Sequence, residues 1–484
     1  MPPTFAPVHP ARLGLAPALF ALLTACAGQP APTPAALAAL ADDPLDTLPA
    51  GVDRAPLPER WWVLFDDPEL ERRVEQALAH NQTLAEAEAN VQALLAGIGE
   101  VDAQRWPSTE SSVAATYGKR SDDQTLAEAL DRHAPAQWQI SPGIELAYQV
   151  DLWGQLSAAI ERARSQAQAG ESALQKVRLE VASQTTRAYL DHCVASTSLV
   201  ETRRSLDSLA HSLSLAQRQQ QAGVATALDT ERLLGLREQV RARLPMLEAR
   251  QQIAGLELRL LSGEAGAGQP LDCQQIPRLS APLPVGDGWH LLQRRPEVRQ
   301  AERELRAATL QIDIARADLY PKVSFGASFT AADQRLERLG SSRAMTFAIG
   351  PLISWQFPNL KANRARVGKA QALADGQLAH YRSVALAALK DVRQALARYD
   401  GERRHLHALD AAREHSQRAY ALADGSYRAG ALDGLALLDS EREVIALSAE
   451  QVLARGRVAQ AQVNLFRALG GRWQPTHTDT EKRP

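Results

Sequence analysis

A mainly helical chain carrying four membrane-type β-strands is the fold class this sequence predicts, on three observations. One long pattern occurs twice: Leu84-x-x-Ala87 through Trp106-Pro107 lines up without a gap on Val298-x-x-Ala301 through Tyr320-Pro321, 214 residues on. Leu228-Asp229-Thr230-Glu231-Arg232 likewise recurs as Leu438-Asp439-Ser440-Glu441-Arg442, at an offset of 210. Each copy also interrupts helical sequence with a pair of alternating strands. Finally, residues 155–222 and 361–429 each run without a strong helix breaker. At 1.5 Å rise per residue a rod of that length reaches roughly 100 Å. No globular core needs such rods, whereas a tube of antiparallel helices built from repeated units does.

Composition narrows the function classes. The 484 residues carry a net charge of −2, which leaves no basic footprint for nucleic acid. Aromatics make up 5%. Ala, Leu, Arg, Gln and Glu dominate 155–265 and 360–470, as suits long helices packed through small side chains.

Residues 1–25 read as an export signal, with Arg12 before the apolar run 13–23. That run is too short to span a membrane as a stable helix. Leu23-Thr24-Ala25-Cys26 resembles the bacterial lipobox, which makes Cys26 a lipidation site and the mature N-terminus. The alternative is an ordinary signal with a chance cysteine. Residue 27 is Ala, so the usual inner-membrane retention signal is missing. Residues 26–58, rich in Ala, Pro and Asp, read as a lipidated, flexible tether.

The first repeat is placed at 59–262. Order begins at Trp61-Trp62, and Asp67-Pro68 caps a helix over roughly 69–104. Trp106-Pro107 ends it, because Pro lacks an amide donor and biases its neighbour toward extended geometry. A β-hairpin follows within 106–152. In its second strand Ile140, Ile144, Leu146, Tyr148 and Val150 face one side; Ser141, Glu145, Gln149 and Asp151 face the other. A long helical hairpin then turns at a tip, 222–227, and Pro245 should kink its return helix. Residues 263–294 join the repeats. The second repeat, 295–470, has a hairpin within 320–358 and a tip at 429–434, before a tail at 471–484. Its strands alternate Val323, Phe325, Ala327 and Phe329, then Phe347, Ile349, Ile353, Trp355 and Phe357, against polar or small neighbours.

Strands of about ten residues with one apolar face are long enough to cross an outer membrane. A soluble sandwich shares that periodicity. Trp106, Trp153, Tyr320 and Trp355 stand where strands meet helices, as an interfacial girdle would. Membrane strands carry a strict consequence: hydrocarbon cannot satisfy the open edges of a four-stranded sheet. Single-chain barrels begin at about eight strands, so the barrel must be shared between subunits.

The tips Ala222-Gly223-Val224 and Gly430-Ala431-Leu432 are small and apolar. Helix-turn chemistry alone explains the glycines; docking of another protein's hairpin would explain the rest. Cys193 and Cys273 remain after Cys26, an even pair in an exported chain. Either they form a disulfide or they are two separate thiols. No catalytic constellation emerges. Gly263 through Gly268 lacks a phosphate-loop Lys and a preceding strand, and His405 and His407 have no ligand set at metal spacing. No catalytic residue, metal or cofactor is expected.

Taken together, Trp62…Phe65-Asp66-Asp67-Pro68-x-Leu70, Tyr148-x-x-Asp151-Leu152-Trp153-Gly154, Arg294-Arg295-Pro296-Glu297-Val298-x-x-Ala301-Glu302, Asp318-Leu319-Tyr320-Pro321 and Tyr427-Arg428-x-Gly430…Leu438-Asp439 resemble the TolC/OprM-type outer-membrane factors. The NodT-type efflux lipoprotein branch is most similar, over roughly 60–472. The resemblance implies a homotrimer in which four strands per chain build a shared 12-stranded β-barrel. A 12-helix α-barrel would project into the periplasm, girdled by an equatorial belt that includes 263–294. It further implies a passive efflux duct in the outer membrane, partnered by a periplasmic adaptor at the tips and an inner-membrane transporter of the resistance–nodulation–division (RND) class. Asp439 falls at an acidic aperture position, with Arg428 and Asp433 as further charges; on the residues alone Asp439 also reads as a solvated or capping side chain. Ala436 stands where some relatives carry a second acid. The exit duct of a type I protein-secretion system shares this architecture. A lipid-anchored periplasmic scaffold would not need the apolar strand faces.

Overall fold

The computed structural model describes residues 48–471 except 120, 122–128, 130, 224–225, 265–270, 272, 274, 280–281, 287–293 and 359. The export signal, Cys26 and most of the tether therefore lie outside the described residues, as does Val224. Among them, no helix is long and apolar enough to cross a membrane.

The chain enters through a short strand, β1 (Val52–Asp53), and a single turn of 3₁₀ helix at Trp61–Phe65. Two short helices follow, α1 (Pro68–His80) and α2 (Gln82–Asp102). The expected single rod over 69–104 is therefore broken. Asn81 holds an extended backbone; its side chain accepts from Leu84 N at 3.0 Å and donates to Leu261 O at 2.9 Å. One residue thus caps α2 and ties the joint to the end of the first hairpin. Strands β2 (Ser108–Gly118) and β3 (Gln137–Val150) lead into α3 (Gln155–Gln221), an unbroken helix of 67 residues.

The return path is split into α4 (Ala227–Arg241) and α5 (Leu244–Leu261). A kink was expected at Pro245; instead the helix stops and restarts, with Pro in the first turn of α5, where its missing N–H costs nothing. After strand β4 (Leu283–Pro284), the second repeat runs α6 (Pro296–Ala317), β5 (Lys322–Ala331), β6 (Met345–Ser354), α7 (Leu360–Arg428; 69 residues) and α8 (Gly434–Leu469).

The last residues of the expected tether are held. β1 pairs in parallel with β4, through Leu283 N to Gly51 O and Val285 N to Asp53 O, both 2.9 Å. A two-residue pairing has no periodicity to read in a sequence. This strap covers a core in which Trp61 stacks on Phe466 with ring centroids 5.0 Å apart, and Phe65 meets the same ring edge-on. Asp67 Oδ1 accepts from Glu69 N and Leu70 N to start α1, while its Oδ2 accepts from the Tyr189 hydroxyl at 2.9 Å. Cys193, in the middle of α3, is disulfide-bonded to Cys273, their Cα atoms 5.1 Å apart. Cys273, from the segment that joins the repeats, is thereby fixed to the middle of the long helix.

Around that waist the helices pack in two storeys. Nearer the strands the order is α2–α3–α6–α7; toward the tips it is α4 and α5, then α3, α8 and α7. Close approach depends on glycine at two crossings. A Cβ on Gly170 would meet the Leu94 side chain at 2.4 Å, and one on Gly456 would meet Val194 at 2.5 Å.

The four long strands form one antiparallel sheet, β2-β3-β5-β6. Its register sorts the side chains. Ile144, Phe329 and Phe347 stand opposite one another, as do Leu146, Ala327 and Ile349, and Val150, Val323 and Ile353. The other face carries Glu145, Ser328 and Ala348 in one row, and Gln149, Ser324 and Leu352 in another. Across β3, β5 and β6 one face is continuously apolar and the other mixed and mostly polar; β2 adds Val113, Ala115 and Tyr117 to the apolar face, with Thr109 and Ser111 at its helix-side end. Aromatics mark both ends of the apolar face. Trp153 stacks on Tyr320 at 4.7 Å and Trp355 on Phe357 at 4.8 Å beside the helices, while Tyr117 meets Trp138 at the far end. From Trp138 to Val150 the strand covers about 40 Å, or about 30 Å of height at a tilt near 40°, the thickness of a hydrocarbon core.

Adjacent positions on β6 test that sorting. Ile349→Arg places a cation on the apolar face and should cost about 2–4 kcal/mol at mid-membrane, abolishing recovery from outer membranes, whereas Ala348→Arg should be recovered normally. Equal recovery of the two proteins would overturn the assignment of faces.

Candidate functional site at the hairpin tips

Each tip is closed by helix chemistry. The first long helix ends at Ala222, followed by Gly223 at φ +82°, and α4 restarts in a capping box where Thr226 and Asp229 bond reciprocally. The second ends with Gly430 at φ +73° and Ala431 N donating to Ser426 O at 2.9 Å. Asp433 then caps α8 by accepting from Ala436 N at 2.9 Å. Ala222, Gly223 and Ala431 are exposed, and Leu432 is half-buried. The two tips lie side by side, since a Cβ on Gly434 would sit 3.4 Å from the Asp229 carboxyl carbon.

The three charges singled out in the sequence do not meet within one protomer. Arg428 pairs with Asp424 one turn back on its own helix, Nη2 to Oδ2 at 2.9 Å. Asp433 is engaged in its cap. Asp439 is exposed and has no bonded partner among the described residues. Its repeat counterpart Asp229 is a cap residue, because α8 starts one turn earlier relative to the shared motif than α4 does. The insertion of that turn turns a capping position into an open surface carboxylate.

The residue that sequence reasoning missed is Glu441. It is 2% exposed, and its Oε1 accepts from the Ser208 hydroxyl at 2.8 Å, joining α8 of the second hairpin to α3 of the first. Its Oε2 has no partner. Burial pushes its carboxyl above the usual range, Ser208 and Ser212 pull the other way, and nearby Asp424 pushes it further up. Its counterpart Glu231 is exposed on α4. Around Glu441 lies a compact apolar cluster that includes Leu209, Leu213, Leu236, Val240, Leu438 and Ile445. This end of the chain can hold two helical hairpins together through apolar contacts and one buried carboxyl. Among the described residues no group of three or more His, Cys, Asp or Glu could hold a metal.

Comparison with known proteins places this architecture. The family described as outer membrane efflux protein matches residues 74–264 and 290–471. The chain belongs to the outer membrane efflux protein family. This efflux protein is 31% identical to the pyoverdine export outer membrane protein OpmQ of Pseudomonas aeruginosa, over 94% of this chain and 95% of that one. It is also 31% identical to the outer membrane protein OprJ of the same organism, over 85% and 86%. Among solved structures it is similar to the outer-membrane channel OprN, with a TM-score of 0.82 at 31% identity over 89% of this chain and 98% of that one. The efflux protein thus has the TolC-like fold and is an outer-membrane channel component that projects into the periplasm. Its family is one of channels, not of enzymes.

Burial of Glu441 against Ser208 should make the tip packing sensitive to pH. A carboxyl raised above its free value binds its proton in the packed state first, so packing weakens as pH rises from about 4.5 through the raised value, and strengthens as it falls. Glu441→Gln should remove this slope and slow hydrogen exchange of the 430–445 backbone at neutral pH. An unchanged slope would show that the carboxyl is hydrated in solution.

Proposed function

We propose that the protein is the passive exit duct of a tripartite efflux pump, working as a homotrimer. The observation that carries this reading is the match between its two unpartnered sides. One side consists of the β2 edge, α2, and α4 with α5; the other consists of the β6 edge and the whole length of α7. Because the four strands alternate in direction, β6 of one copy would run antiparallel to β2 of the next. Such head-to-tail contact generates a closed ring when the rotation closes. Three copies give the twelve strands and twelve helices per cross-section that the resemblance implies.

Apolar surface supports the same contact. Met246, Ile253 and Leu260, seven residues apart on α5, are each more than 60% exposed in the single chain, as a heptad seam without its partner would be. The α7 flank exposes Leu373, Leu386 and Leu422. The apolar sheet face then meets lipid and the polar face lines the pore.

In this reading Cys26 carries the lipid anchor. The tips at Ala222, Gly223, Val224, Gly430, Ala431 and Leu432 receive a periplasmic adaptor, which links the duct to an RND-class transporter in the inner membrane. Energy comes from that transporter. Relatives named for export of pyoverdine and toluene favour small molecules over the protein-secretion alternative. Arg428, Asp433 and Asp439 stand around the periplasmic aperture, where the ring repeats each charge.

Planar-bilayer recordings test the duct and its aperture together. The wild-type protein should form pores, and Arg428→Ser with Asp439→Ala should raise single-channel conductance. Exposed ion pairs contribute only about 0–1 kcal/mol each, so the effect depends on their repetition around the ring. Conductance and cation preference unchanged from wild type would place these side chains on the outer wall. For the anchor, Cys26→Ser should lose the acyl mass from the N-terminal peptide; retention of that mass would sink the lipoprotein assignment.

A further inference from the structure

A cavity of about 430 Å³ opens at the waist, where the end of α8 meets the start of α6 between the long helices α3 and α7. Its lining is charged, and its cations outnumber its carboxylates: Lys176, Arg187, Arg295, Arg398 and Arg467 against Glu180, Glu297 and Asp391. All three carboxylates are already engaged. Glu180 lies 3.3 Å from Arg187 and 3.5 Å from Arg467. Glu297 and Asp391 face Arg295 at 2.5 Å and 3.8 Å. Lys176 and Arg398 have no carboxylate partner among the described residues.

At the centre stands Arg295, only 5% exposed. Its Nη1 donates to Ala388 O at 2.7 Å, yet its buried Nε has no partner. A guanidinium taken out of water with a donor unspent is costly unless an acceptor reaches it. The N-terminus of α6, a helix of 22 residues that begins beside Arg295, adds its positive end to the same place.

The direction in which the cavity opens follows from helical geometry. Arg187, Arg398 and Arg467 stand two residues from Tyr189, Leu396 and Leu469, which pack into the core beneath the belt. Two residues are about 200° on a helix, so the cationic side chains lie on the side away from the belt. In a ring with the belt outside, that side is the bore.

We propose that this cavity is an oxyanion-binding subsite on the duct wall, which takes solutes carrying several carboxylate or phosphate groups in transit. Arg295 supplies a fixed, buried donor, and Lys176 and Arg398 are the free cations that receive the charge. The placement in the bore rests on the duct reading above; the anion affinity of the cavity does not.

The test uses the full-length protein purified in detergent, titrated separately with citrate and with inorganic phosphate. Lys176→Gln with Arg398→Gln alters exposed, unpaired side chains and should leave the oligomer intact by gel filtration. Salt-sensitive citrate binding should weaken by about tenfold or more in this variant, the loss of two charge-assisted contacts. Citrate bound more tightly than phosphate would identify a multi-carboxylate solute as the class; the reverse order would assign a phosphate-bearing one. In planar bilayers citrate should lower the conductance of the wild type and spare the variant. No binding to the wild type, or equal binding to both proteins, overturns the proposal. Binding in solution by a protein that forms no pore would instead sink the duct reading and leave the anion site standing.

Discussion

Unpaired backbone N–H and C=O groups cannot be left in hydrocarbon, and the rest of this molecule is arranged around that constraint. Four strands leave two bare edges, one on β2 and one on β6. Among the described residues no further strand pairs with either edge. Another copy of the same chain, as in the proposed ring, offers a partner of matching length, direction and pattern. The helical storeys obey the same logic at lower stakes, since water can solvate a helix flank that lipid would not. Their free sides continue from the free strand edges, so in the proposed ring a single contact surface would run along both sheet and helices.

The two repeats show how one pattern diverges under different neighbours. α4 and α5 lie at a free flank, whereas α8 is enclosed by α3 and α7. A glutamate carried at equivalent positions is therefore exposed in one copy, as Glu231, and buried in the other, as Glu441. An extra turn at the start of α8 likewise changes the work of an aspartate, from the cap at Asp229 to the bare carboxylate at Asp439. Duplication supplies the framework, and the neighbours each copy packs against assign the chemistry.

What was legible in the sequence is what depends on local periodicity. Alternation at period two identified both strand pairs and their apolar faces, because register preserves the side on which each residue stands. Absence of breakers identified the two long rods. The break at Asn81 was not legible, since Asn is tolerated inside helices and its capping role here needs Leu261 of a distant segment. The β1–β4 strap is too short to have a pattern. At the tips, Gly223 and Gly430 announced themselves as caps. Asp424 as the partner of Arg428, and Ser208 as the partner of Glu441, could be found only from the packing of one hairpin on the other. The Tyr117–Trp138 pair at the far end of the sheet has no signature in the sequence, because a long loop separates the two residues.

The disulfide between Cys193 and Cys273 has a mechanical meaning as well as a structural one. It pins α3 at its middle, leaving 28 residues of stiff helix from Cys193 to Gln221 as a lever. That arm is about 42 Å long, so a tilt of roughly 10° at the pinned point would sweep its end through ~7 Å. A rearrangement small enough for packed side chains at the waist to absorb is amplified there into a displacement wider than a small organic molecule. In the proposed duct the pinned point would act as a fulcrum, with the length of the helix converting modest torque into aperture.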